Sequence, residues 1–161
     1  MEEKQKKKVL FVCVHNSARS QMAEELLRKH GGEEYEVESA GLEPGAVNPL
    51  VAQVLKEDEK IDIAEKKTRS VFDLYKAGKR FHYVVTVCDE STAQRCPLFP
   101  GVKERILMSF EDPSALTGTE EEKLEKIRQI KAQIEEEVLR FKSLVDQDLL
   151  EENFPEHWGA G

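Results

Sequence analysis

The chain has 161 residues, 39% of them apolar and 35% charged, with a formal net charge of −8. That size suits one domain with a real core. The acidic balance excludes general nucleic-acid binding, which needs a basic footprint, and no apolar run approaches the ~20 residues that span a bilayer.

Residues 1–8 form a charged N-terminal tail, and the apolar run after it is too short for a signal peptide. Three cysteines, Cys13, Cys88 and Cys96, are an odd number that fits a disulfide framework badly. They point to the reducing cytoplasm, where cysteines that matter are catalytic or redox-active. The histidines His15, His30, His82 and His157 show no ligand spacing with the cysteines, so no metal centre is expected from them.

In chain order, residues 9–12 predict a strand and residues 20–30 a helix that stops at Gly31-Gly32. Residues 35–39 alternate apolar and polar, as an outer strand does. A Gly/Pro-containing loop follows and ends at Asn48-Pro49, an N-cap with proline at the first helical position. A helix through Val51, Val54 and Leu55 comes next, then a short one over 70–77 ended by Gly78. Residues 81–88 give the strongest central-strand signal, and 106–108 a shorter strand running into Glu111-Asp112-Pro113.

One long helix over about 120–150 has Leu124, Ile127, Ile134, Val138, Phe141 and Val145 on a single face. Its glutamates and lysines are the solvated side. The tail over 151–161, with Trp158, lies beyond the domain at 9–150. Alternating β and α elements imply a single α/β domain, a four-stranded parallel sheet with helices on both faces. Ligands then bind beyond the carboxyl ends of the strands. Cys13, Cys88 and Asp112 all follow strands and share that rim.

Cys13 ends the first strand, and Arg19 stands six positions on, where the first helix begins. Unpaired backbone N–H groups and the helix dipole bind anions at such a place. The same field favours a thiolate at Cys13, the nucleophilic form. The alternative for Cys13 is a small apolar residue closing a buried strand. The small polar loop, the helix after it and Ser20 as candidate N-cap favour the anion site.

Val12-Cys13-Val14-His15-Asn16-Ser17-Ala18-Arg19-Ser20-Gln21-Met22-Ala23-Glu24 resembles the low-molecular-weight tyrosine phosphatase superfamily and, within it, the thioredoxin-coupled arsenate reductases. Ser39-Ala40-Gly41, Val85-Thr86-Val87-Cys88 with Cys96-Pro97, and Phe110-Glu111-Asp112-Pro113 extend the resemblance over nearly the whole chain. It implies that backbone N–H groups of Val14, His15, Asn16, Ser17, Ala18 and Arg19, with the Arg19 fork, hold a tetrahedral oxyanion. Cys13 then attacks, Asp112 is the general acid, Ser20 stabilises the sulfur and Asn16 shapes the loop.

For the reductases the resemblance further implies a Cys13–Cys88 disulfide, then a Cys88–Cys96 disulfide, with arsenate as substrate and electrons from thioredoxin and no bound cofactor. Residues 89–95 would form a short helix that loops out between the thiols. A phosphatase working through a Cys13 phosphocysteine is the alternative. Against it, Ser114 and Ala115 stand where phosphatases usually carry tyrosines. Some relatives bind potassium through an Asn, a Glu, a Ser and an Asp. Asn16, Glu24 and Ser39 match three of these, but Ser70 stands at the fourth. His15 either adds positive charge near the anion or points to solvent.

Overall fold

A computed structural model describes residues 6–150; most of the N-terminal tail and the 151–161 segment with Trp158 lie outside the described residues. Its centre is strand β1 (Lys7–Cys13), in which every residue from Val9 onward is buried. Val9, Phe11 and Cys13 pack on one side of the sheet, Leu10 and Val12 on the other. A strand covered on both faces needs this unbroken apolar run. Lys7 and Lys8, expected in the tail, belong to the strand because they pair with Tyr35 and Glu36.

Strand β2 (Tyr35–Gly41), β3 (Tyr83–Thr86) and β4 (Glu104–Leu107) join β1 in the order β2-β1-β3-β4, every neighbouring pair parallel. β3 is central, as expected, but only four residues long. The ladder narrows because β4 offers four partners, while Val87 still donates to the Val12 carbonyl at 2.9 Å.

Helix α1 (Arg19–Gly31), α2 (Pro49–Val54) and α5 (Glu120–Asp146) supply the larger apolar cluster on one face. Helix α3 (Val71–Lys76), the chain between it and β3, and the chain after α4 (Glu90–Arg95) cover the other, through Val71, Phe81, Cys96 and Phe99. Asn48 caps α2 by accepting from the Leu50 and Val51 amides, and Pro49 follows it. α5 opens with a capping box between Thr119 and Glu122. It stops before the expected end at 150, because Asp148 turns left-handed at φ 57° and Leu150 folds back into the core.

Ile127, Ile130, Ile134, Val138, Phe141 and Val145 make the buried stripe of α5. Phe141 meets Tyr83 edge to face, with ring centroids 5.5 Å apart. Phe141→Ala is expected to cost about 3–5 kcal/mol, the range for emptying a fully buried aromatic site. Urea unfolding followed by circular dichroism measures it.

Candidate active site

Between β1 and α1 the chain makes a loop whose carbonyls are all claimed from outside. The Cys13, Val14, His15 and Ser17 carbonyls accept from the amides of Leu42 (3.1 Å), Glu43 (2.7 Å), Gly45 (3.0 Å) and Asn48 (2.9 Å). The Asn16 carbonyl accepts from Gln21 Nε2 at 2.9 Å. A trans peptide points its N–H opposite to its C=O, so carbonyls held outward leave the following amides facing inward. The result is a cradle of N–H groups leading into the first turn of α1, which has no side-chain cap.

Two residues make the close fit work. Asn16 sits at φ 55°, a left-handed conformation that asparagine tolerates better than most side chains. Gly41 lies against the loop so tightly that a Cβ there would meet the Val14 carbonyl at 2.7 Å and the Asn16 amide at 2.8 Å. The Ser39-Ala40-Gly41 motif therefore ends in glycine to let β2 lean on the cradle.

The Cys13 sulfur is buried at the cradle floor. Ser20 Oγ lies 3.0 Å from it, and the Asn16 amide donates to it at 3.2 Å. Ser20 is not the N-cap of α1; Ala18 holds that position. The Ser20 hydroxyl is turned to the Cys13 sulfur instead. Asn16 Nδ2 donates to both Ser20 Oγ (2.8 Å) and Ser39 Oγ (2.9 Å), and its Oδ1 accepts from the Arg69 amide at 3.0 Å.

Arg19 leaves α1 at the mouth of the cradle, where it donates to the Phe110 carbonyl at 3.0 Å. Its other terminal nitrogen lies 3.8 Å from Asp112 Oδ2. Asp112 is half exposed and its Oδ1 accepts from the Ser114 amide, so it also caps the short turn over Pro113–Ala115. The turn fixes the carboxyl beside the guanidinium. His15 is exposed, its Nδ1 paired with the Glu43 carbonyl at 2.9 Å.

Behind the cradle lies a fully buried carboxylate. Glu24 Oε1 accepts from Ser39 Oγ at 2.5 Å and meets Lys66 Nζ at 2.7 Å, while Oε2 lies 2.5 Å from Arg28. Asn16, Glu24 and Ser39 thus do come together, but their polar atoms are turned to one another and to Lys66 and Arg69. Ser70 caps α3 through its hydroxyl. These residues do not fit potassium, because the Lys66 ammonium already supplies the cation that Glu24 needs.

Cys88 packs on the same sheet face as Cys13, its Sγ 4.0 Å from the Val12 carbonyl. Burial pushes its thiol up; a hydrogen bond with Thr92 only partly offsets this. Cys96 lies on the opposite face, after α4, and burial pushes it up to about 11. Asp89 caps α4 by accepting from Thr92 N at 2.8 Å. The cradle therefore unites Cys13, Arg19, Ser20, Asn16 and Asp112 with Cys88 nearby, and leaves Cys96 apart.

Lys66 has no local signal in the sequence, and Gln21 sits unremarked within the motif. Removing the ammonium in Lys66→Ala leaves Glu24 buried with Arg28 as its remaining cation. A loss of about 3 kcal/mol in urea unfolding is expected, the lower end for breaking a buried ion pair.

Residues 8–152 match the family described as low molecular weight phosphotyrosine protein phosphatase. The arsenate reductases of Bacillus licheniformis and Halalkalibacterium halodurans are 38% and 39% identical to this chain, over 84% of it and 95% of theirs. An arsenate reductase structure from Archaeoglobus fulgidus aligns at TM-score 0.65 and 34% identity, covering 83% of this chain and 97% of that one. The thioredoxin-dependent arsenate reductase of Corynebacterium glutamicum aligns at TM-score 0.55 and 29% identity, over 83% and 62%. A family model spanning nearly the whole chain, and relatives this similar over most of their length, decide the matter: the chain belongs to the low molecular weight phosphotyrosine protein phosphatase family and stands among its arsenate reductases.

Proposed function

We propose that this protein reduces arsenate to arsenite through Cys13, Cys88 and Cys96, with thioredoxin as the electron donor in the cytoplasm. The observation that carries the reading is a second buried thiol, Cys88, on the same face and rim as the cradle cysteine. Hydrolysis of a phosphocysteine would leave that thiol without a task.

The cradle amides and Arg19 hold the oxyanion, since a guanidinium fork pairs well with two oxygens at once. Cys13 attacks arsenic, and Asp112 protonates the departing oxygen. Cys88 then attacks the Cys13 sulfur. The electron pair of the S–As bond passes to arsenic, arsenite leaves, and a Cys13–Cys88 disulfide forms. Cys96 attacks Cys88 in turn and frees Cys13, so that thioredoxin meets a Cys88–Cys96 disulfide.

This last exchange needs movement. Cys96 packs across the sheet from Cys88. The six residues of α4 span ~9 Å as a helix at 1.5 Å per residue and about twice that when extended. Unwinding α4 supplies the slack.

Protein supplied with arsenate, thioredoxin, thioredoxin reductase and NADPH is expected to consume NADPH in an arsenate-dependent way; no such consumption sinks the reading. Cys96→Ser should release arsenite once per molecule and then stall. The pH dependence follows from burial. Both resolving thiols titrate above their ordinary value, so at neutral pH the protonated, unreactive form dominates. Rapid-quench measurement of the two disulfides should show both exchanges accelerating as pH rises, by up to about tenfold per unit while thiolate is scarce.

A further inference from the structure

The helix between the resolving thiols is held by little of its own. Thr92 and Ala93 are its buried residues; Glu90, Ser91, Gln94 and Arg95 face solvent. A helix this short is not stable alone, and the segment after it is loosely covered. Leu98 is 69% exposed, and a cleft of about 320 Å³ opens between Pro97–Phe99 and the β4 edge. The Asp89 cap holds the start of α4 and does not reach its last turn.

A polar contact from the sheet does. Arg105, in β4, donates to the Ala93 carbonyl at 2.7 Å. That carbonyl lies in the last turn of α4, where carbonyls lack helical partners, and it also receives the Cys96 amide at 3.4 Å. Arg105 pairs in register with Val84, which packs on the same face as Cys96 and Phe99. The guanidinium thus ties the final turn of α4 to the edge strand and places a positive charge at the helix C-terminus, where the dipole favours it. Its charge also acts on the Cys96 thiol, against the effect of burial.

We propose that Arg105 is a positioning residue that latches α4 in its wound state and so holds Cys96 withdrawn across the sheet from Cys88. The proposal rests on the relay reading for its role in turnover. In the step it governs, the Cys96 thiolate attacks Cys88 within the Cys13–Cys88 disulfide. The Cys88–Cys96 bond forms as the Cys13–Cys88 bond breaks, Cys13 leaves as a thiolate, and the Cys96 proton goes to solvent. No net oxidation occurs. The latch must release for Cys96 to reach Cys88, and the strength of the Arg105–Ala93 contact sets how readily it does.

The test compares wild type with Arg105→Met and Arg105→Lys by hydrogen exchange of the reduced protein. Losing a hydrogen bond from a charged donor should speed exchange of the Ala93 and Cys96 amides by about tenfold or more in Arg105→Met. Amides of β1 and β3 should hold their wild-type rates, and Arg105→Lys should recover much of the protection. Unchanged exchange in α4, or acceleration spread across the sheet, overturns the latch. In a single turnover with arsenate, Arg105→Met should release arsenite at the wild-type rate and form the Cys88–Cys96 disulfide faster, the gain from the freed helix exceeding the loss of the charge that favours the Cys96 thiolate. An unchanged or slower second disulfide overturns the gating role. Absence of that disulfide in wild type would instead overturn the relay, with the exchange measurement still deciding the latch.

Discussion

The site depends first on where five peptide carbonyls point. Those of Cys13, Val14, His15, Asn16 and Ser17 are held outward by donors from 42–48 and from Gln21. Because the peptide unit is rigid, satisfying those acceptors on one side fixes the donors on the other. The loop need not spend its own side chains on shaping the cradle. Ser20 and Asn16 are free to serve the sulfur, and Arg19 is free to span the mouth. Gly41 is the counterpart of this arrangement: the tethers reach only because β2 approaches within the space of a missing methyl group.

The second constraint is charge taken out of water. Glu24 has no exposure, and a lone buried carboxylate would cost several kcal/mol. Lys66 and Arg28 compensate it, and Ser39 hands the interaction on to Asn16. Asn16 then reaches Ser20, which reaches the Cys13 sulfur. A continuous polar path thus runs from a surface lysine, through a buried acid, to the Cys13 sulfur. Such networks hold their members rigidly when every partner is present.

Local chemistry was legible in the sequence; long-range chemistry was not. The cap at Asn48 and the alternation of strands and helices follow from residues adjacent in the chain. Cys13 and Arg19 announce the cradle through their spacing and setting. Ser20 misleads, because a serine at a helix start suggests a cap until the Cys13 sulfur offers a better partner. Lys7 and Lys8 suggest a tail because their charge hides the ladder bonds their backbone makes to β2. Lys66 and Arg105 carry no local pattern at all. Their partners lie 42 and 12 positions away, counted from Glu24 to Lys66 and from Ala93 to Arg105, and only the fold brings them together.

The tethers that shape the cradle come from the chain just past β2, and β2 is in place only through its parallel pairing with β1. The cradle is therefore not a property of a loop. It comes into being with the pairing of β1 and β2, whose partners lie 28 positions apart in the chain, and is lost with it. An oxyanion held there binds the native chain and has nothing comparable to bind in the unfolded one. By mass action it must stabilise the fold as a whole, by an amount that grows with the logarithm of its concentration. A cell rich in such an anion would thus stiffen the very protein that acts on it.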